Sequence, residues 1–310
     1  MRAVERPPEY RGGLDPDIGG LTLALVGGFG LGRVAGKTPG ATQLPAPNPV
    51  ATASDGHSHA PGTGPHEHVT GPASARVQVG GLAVSAGGYR LVPESTSFVA
   101  GRQQPFRFRI TGPTEATVTT YAVLHDKPLH LIVVRRDLTG YQHLHPTMAP
   151  DGTWSVPLTL AQPGAWRAFA DFAATNQGGG QTPSTLGVDL TAGGDYRPRP
   201  LPAAQQTATV GDFGVAITGT PVIGSTQPML FTVTKAGAAA ALERYLGAYG
   251  HLVVLREGDL GYVHVHAEDQ TSNGGVKFWL AAPTAGRYRM FFDFKVAGAV
   301  QTAEFTLVVR

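Results

Sequence analysis

Two sixteen-residue stretches, HLIVVRRDLTGYQHLH from His130 and HLVVLREGDLGYVHVH from His251, carry the same His-x12-His-x-His spacing without insertion or deletion. Other landmarks keep the same order around them. QPFRFRITG (104–112) precedes the first and QPMLFTVTKAG (227–237) the second; PGAWRAFADF (163–172) follows the first and AGRYRMFFDF (285–294) the second. Such a chain is a tandem duplication, near 76–195 and 205–310, and it must fold twice into the same unit. Each copy consists of short β-branched or aromatic runs separated by Gly, Pro, Asn and Asp. The expected fold class is therefore all-β, with two tandem immunoglobulin-like β-sandwiches of roughly 100 residues each. The 42 Gly and 25 Pro favour turns over long helices. The one interruption is AGAAAALERYLGAYG (236–250), which reads as one short helix or a loop.

Charge and cysteine content exclude several functions. Charged residues make up 15% of the chain, 24 Lys and Arg against 22 Asp and Glu, with no basic run, so nucleic acid is not an expected partner. The absence of cysteine removes disulfides, thiolate catalysis, Cys-type zinc sites and lipoprotein acylation. Fifteen uncharged residues, IGGLTLALVGGFGLG, lie between Asp17 and Arg33. They read as an N-terminal membrane helix within a tail and anchor of residues 1–36, placing the chain in the cell membrane as a single-pass protein with its C-terminal domains extracytoplasmic. The alternatives are a cleaved signal peptide, which the acidic Glu5, Glu9, Asp15 and Asp17 disfavour, and a buried Gly-rich helix or tail. Residues 37–75 have too few large apolar side chains to fold and read as a disordered, flexible linker. This linker carries His57, His59, His66 and His68 as two His-x-His pairs, a weaker metal-collecting arm or a plain solvated spacer.

The repeated histidines fall on one face of a hairpin. Residues i and i+2 of a strand point the same way, so His143 and His145 share a face, as do His264 and His266. A turn at Asp137-Leu138-Thr139-Gly140 pairs Arg136 with Tyr141, sets Val134 opposite His143 and Ile132 opposite His145, and leaves His130 one diagonal step away. Three imidazoles then converge on one ion in each sandwich, His130, His143 and His145 in the first and His251, His264 and His266 in the second. Three nitrogens plus a further group suit a divalent Cu or Zn ion as cofactor. Asp171 and Asp293 sit inside apolar strands, where an unpaired carboxylate is costly, and either ligate the ion or orient an imidazole. The competing reading makes the histidines ordinary core residues, hydrogen-bonded to backbone or to Asp171, in a structural or interaction protein. His125, aligned with Leu246, reads as a surface residue or one at the mouth of the first site. Met148 is too isolated for a Met-rich Cu(I) site. With unperturbed imidazoles titrating near 6.5, metal affinity is expected to fall below about pH 6.

Three protein ligands with an open position would also serve a metal-dependent enzyme. Against that, Gly258 with His264-Val265-His266 begins a cupin pattern whose acidic position is filled by Gln270 and Thr271, and no nucleophile triad or phosphate loop is present. Two near-equal sites behind a His-bearing arm favour sequestration or handover of an ion over turnover. HLIVVRRDLTGYQHLHP with PGAWRAFADF, and LGAYGHLVVLREGDLGYVHVH, resemble the exported, membrane-anchored bacterial proteins with YtkA-like or FixH-like sandwiches. They are more distantly similar to immunoglobulin-like copper-resistance proteins of the periplasm. The resemblance spans roughly residues 85–310 and implies an extracytoplasmic immunoglobulin-like fold with a heavy-metal, copper-related role.

Overall fold

The computed structural model describes residues 79–310, and every regular element among them is a strand. The anchor of residues 1–36 and the linker of residues 37–75, with His57, His59, His66 and His68, lie outside the described residues. Among the described residues no helix is long and apolar enough to cross a membrane.

The first repeat packs two five-stranded sheets face to face. One runs in the order Ser85–Ala86, Tyr89–Pro93, Gln103–Thr111, Trp154–Thr159, Thr147–Met148; the other Ser97–Val99, Gln181–Gly193, Gly164–Thr175, Leu129–Arg135, Gln142–Leu144. The second repeat packs the sheet Thr207–Val210, Phe213–Thr218, Thr226–Lys235, Gly275–Ala281, Val265–Ser272 on the sheet Tyr262–Val263, His251–Arg256, Gly286–Val296, Ala299–Val309. The described residues are thus all-β, two tandem immunoglobulin-like sandwiches. The stretch 236–250 holds only the two-residue strand Ala238–Ala239 and turns, the loop of the two alternatives.

Alternation along the strands builds each core. Phe106, Phe108 and Ile110 point inward from Gln103–Thr111, whose intervening residues are exposed, and meet Leu131, Val133, Trp154 and Trp166. Met229, Phe231 and Val233 play the same part in the second repeat, against Phe278, Phe292 and Phe305. Leu129–Arg135 breaks this alternation because all seven of its residues are buried. A strand with no exposed face is covered on both sides. Its outward residues Ile132 and Val134 enter a third core with Phe169, Val253, Leu255 and Phe291, drawn from both repeats. The two histidine-bearing sheets therefore pack against each other.

Reciprocal contacts mark this packing as an approximate two-fold exchange of repeats. Tyr141 stacks on Phe291 at 4.1 Å between ring centroids, and its counterpart Tyr262 meets Phe169, the counterpart of Phe291, at 5.7 Å. The backbone also stitches the junction. Gly80 and Tyr262 exchange N–H···O bonds of 2.8 and 3.1 Å across it, while the Gly81 N–H to the Thr185 carbonyl and Arg167 Nε and Nη2 to the Gly81 carbonyl hold this segment to the first repeat.

The first hairpin differs from the expected register. Ile132 lies opposite His143 and Leu131 opposite Leu144, a shift of two residues from the Val134–His143 pairing. The turn is displaced because the Arg135 N–H already donates to the Thr139 carbonyl, with Leu138 (φ 62°) and Gly140 (φ 68°) in left-handed conformations. Leu138 accepts this conformation because its side chain is anchored in the third core. Gly140 is required because a Cβ there would stand 2.5 Å from the Trp166 ring. A shift of two leaves every side chain on its original face, so the histidines keep their common side.

Candidate metal centre

The common histidine face is the outer face of the sheet, the one buried by the other repeat. His130 is 4% exposed and sits on the same side as Ile132 and Val134. Asp171 faces it across the neighbouring strand, as Asp293 faces His251. Closing the two sheets together brings His251 from the second repeat onto the first repeat's set. The His130 and His251 rings stack at 5.4 Å and 10°, and His143 and His251 lie 4.4 Å apart between centroids. One ring nitrogen from each of His130, His143 and His251 lies within 4.8 Å of the others. His145 borders the group, at 4.7 Å from His143 and 5.1 Å from His130.

The hydrogen bonds fix which nitrogens carry protons. His130 Nε2 lies 3.1 Å from the Leu124 carbonyl, which can only accept, so Nε2 carries the hydrogen and Nδ1 of the neutral ring is a lone pair. His143 Nδ1 lies 2.9 Å from Asp293 Oδ2. The carboxylate also accepts from the Tyr141 hydroxyl at 3.0 Å and the Thr302 hydroxyl at 2.6 Å. With Nδ1–H donated to Asp293, Nε2 of His143 is a lone pair in the neutral ring and a donor to His130 in the protonated ring. With both rings neutral, His130 Nδ1 and His143 Nε2 would face each other as lone pairs at 3.0 Å. Such a contact is repulsive unless a cation lies between them.

A shared proton or a metal ion would relieve the repulsion, and the neighbouring nitrogens discriminate between them. His251 Nδ1 and His145 Nε2 are both buried without a hydrogen-bond partner. Each such atom costs about 1–3 kcal/mol. One proton serves two nitrogens, whereas one ion serves three or four. Burial opposes a proton on the surrounding rings: it lowers His130 to about 3 and His145 to about 4. His251 is held well below the ordinary imidazole value, again by burial first. Two nitrogens each about 2.05 Å from one ion stand about 2.9 Å apart at a right angle and about 3.3 Å apart at the tetrahedral angle. The observed 3.0 Å lies between these separations.

The remaining predicted residues are placed as follows. Asp293 orients His143 from its outer side, the second of the two roles considered for it. Asp171 accepts from the Thr185 hydroxyl at 2.7 Å. The second repeat does not reproduce the first hairpin: Tyr262–Val263 pairs with His251–Arg256, then the chain leaves that sheet at His264 and crosses to Gly275–Ala281. His264 is exposed, and His264 and His266 stand 4.8 Å apart between centroids. The expected arrangement of one set per sandwich is therefore replaced by a set shared between sandwiches, because His251 faces the first repeat across the junction. Met148 packs against the first core, on the far side of the sheet from the cluster. His125 is half-buried, with centroids 6.1 Å from His130 and 6.0 Å from His251, and burial lowers its pKa. Sequence reasoning missed Tyr141 and the Leu124 carbonyl. Tyr141 did leave a signal, since Tyr262 occupies the same place in the second repeat.

The family model described as Domain of unknown function (DUF8832) matches residues 83–188 and again residues 208–310. The chain belongs to this family. Both matches of the DUF8832 model fall on the histidine-bearing repeats. No curated protein matches the sequence. Among solved structures, the DUF8832 chain is similar to the Escherichia coli adhesin FdeC at 15% identity, covering 74% of this chain and 66% of that one, with a TM-score of 0.24. It is similar to Escherichia coli alpha-2-macroglobulin at 12% identity, covering 72% and 20%, with a TM-score of 0.24. A third likeness is to the D00-D0 domain of Intimin, at 10% identity, 72% and 99% coverage and a TM-score of 0.22. The chain spans less than two thirds of the length of the first two, and likenesses this low carry no argument about its function.

Proposed function

We propose that this protein binds one divalent transition-metal ion, Cu or Zn, through His130, His143 and His251 at the junction of its repeats, for sequestration or handover. The observation that carries this reading is the 3.0 Å approach of His130 Nδ1 and His143 Nε2, each ring held by an outer partner, beside the buried and unpartnered His251 Nδ1. An Asp293–His143 pair and a carbonyl–His130 pair are the outer contacts that metal-bound imidazoles use to hold their tautomer and orientation. Imidazole donors without thiolate or thioether suit Cu(II) and Zn(II). The cell-membrane setting rests on the apolar segment 18–32 and on the resemblance to exported YtkA-like and FixH-like proteins. In that setting the four linker histidines would collect ions for the junction.

Elemental analysis of the whole chain, loaded with Cu(II) or Zn(II) and dialysed, tests the proposal. His143→Ala and His251→Ala, in different repeats, are each expected to remove the same single ion. Losses that add, one ion per substitution, would show separate sites in each repeat. Retention of every ion by both variants would make these histidines structural.

A further inference from the structure

We infer that His145 supplies a fourth nitrogen, so that the ion is enclosed by four imidazoles, three from the first repeat and one from the second, with no position left for substrate. This rests on the metal-binding reading and deepens it. His145 Nε2 is one of only four buried side-chain N or O atoms without a partner among the described residues, and another is His251 Nδ1. Nitrogens of His130, His143 and His251 lie within 4.8 Å of one another, and the orphaned Nε2 of His145 borders them as a fourth donor of the same chemical kind. The His145 ring stands 4.7 and 5.1 Å from those of His143 and His130, close enough for a small side-chain rotation to bring Nε2 to a shared ion. The register explains its position. The ladder ends at Leu131 opposite Leu144, and His145 follows directly on that last pair, next to His130.

Four neutral imidazoles around a divalent ion leave the site with its full positive charge, half of which the Asp293 carboxylate offsets from outside through His143. Such a closed shell suits an ion that is held, as in structural zinc sites, whereas catalytic sites keep a coordination position open. The class of ligand is thus a divalent ion that accepts four nitrogens, with Zn(II) and Co(II) the best fits. Neither repeat alone contains the complete shell.

The absence of cysteine in this chain makes a direct test available. The whole protein is loaded with Co(II), whose visible spectrum reports coordination number, and compared with His145→Ala and His145→Cys. The expected results are an intense four-coordinate spectrum for the unmodified chain, loss of most of that intensity in His145→Ala, and a new sulfur-to-cobalt charge-transfer band in His145→Cys. Circular dichroism confirms that both variants are folded. If the unmodified chain binds Co(II) but His145→Ala keeps its spectrum and His145→Cys shows no sulfur band, His145 lies outside the shell and this inference fails while metal binding stands. If the unmodified chain binds no Co(II), Zn(II) or Cu(II), the underlying reading fails with it.

Discussion

At the residue scale, the chemistry turns on which imidazole nitrogens are already occupied. Asp293 holds the Nδ1 proton of His143 and turns Nε2 toward His130, so Asp293→Asn should weaken binding of the proposed ion by about 10–100-fold while leaving the three histidines in place. Titration against a chromophoric chelator measures this. Burial also changes the pH dependence anticipated from free imidazole. With His130 lowered to about 3 and His145 to about 4, protons do not compete for these two nitrogens until well below pH 6, and an ion bound at pH 7 should still be retained at about pH 5. The metal-free protein should behave oppositely. Its folded histidines titrate below the unfolded value near 6.5, so the unfolded chain takes up more protons as the pH falls. Stability should therefore decline from about pH 6.5 downward, by up to about 1.4 kcal/mol per pH unit for each such histidine. Urea unfolding midpoints at pH 7 and pH 5, without and with metal, separate the two behaviours.

At the element scale, the site depends on strands buried on both faces. Leu129–Arg135 sends Leu131 and Val133 into its own sandwich and His130, Ile132 and Val134 into the junction, so the face that carries the histidines also carries the adhesion between repeats. Phe291 is fully buried in that junction and stacks on Tyr141, whose hydroxyl holds Asp293. Phe291→Ala is expected to cost about 3–5 kcal/mol in denaturant unfolding and to weaken the ion without touching a ligand. The alternation of Gln103–Thr111 and the apolar run of Leu129–Arg135 were both legible as strands. The hairpin register was not, because the turn residues allow two closures. Leu138 selects one of them by burying its side chain against residues more than a hundred positions away.

At the scale of the whole molecule, a site assembled from both repeats couples them. An ion that binds only the folded, docked protein raises its stability by mass action, about 2.7 kcal/mol when the free ion is at 100 times its Kd. His251→Ala should abolish this gain, although most of the imidazoles belong to the other repeat. Thermal unfolding with graded Zn(II), read separately at tryptophans of the first and second repeats, would show whether both respond together. Trp154 and Trp166 report on the first and Trp279 on the second.

Duplication, the all-β class, the shared face of the first repeat's histidines and the acidic residues opposite His130 and His251 are all properties of spacing and periodicity, and the sequence by itself determined them. The docking of one histidine face on the other belongs to the tertiary structure alone, since no local pattern states which buried face meets which. That docking moved His251 away from the triad suggested by its own repeat and placed it against His130 and His143. It brought Asp293 to the histidine of the other sandwich, and it left His264 exposed where the second hairpin parts from its sheet. Side-chain alternation places a ligand on a face, but only packing between faces decides which ligands share an ion.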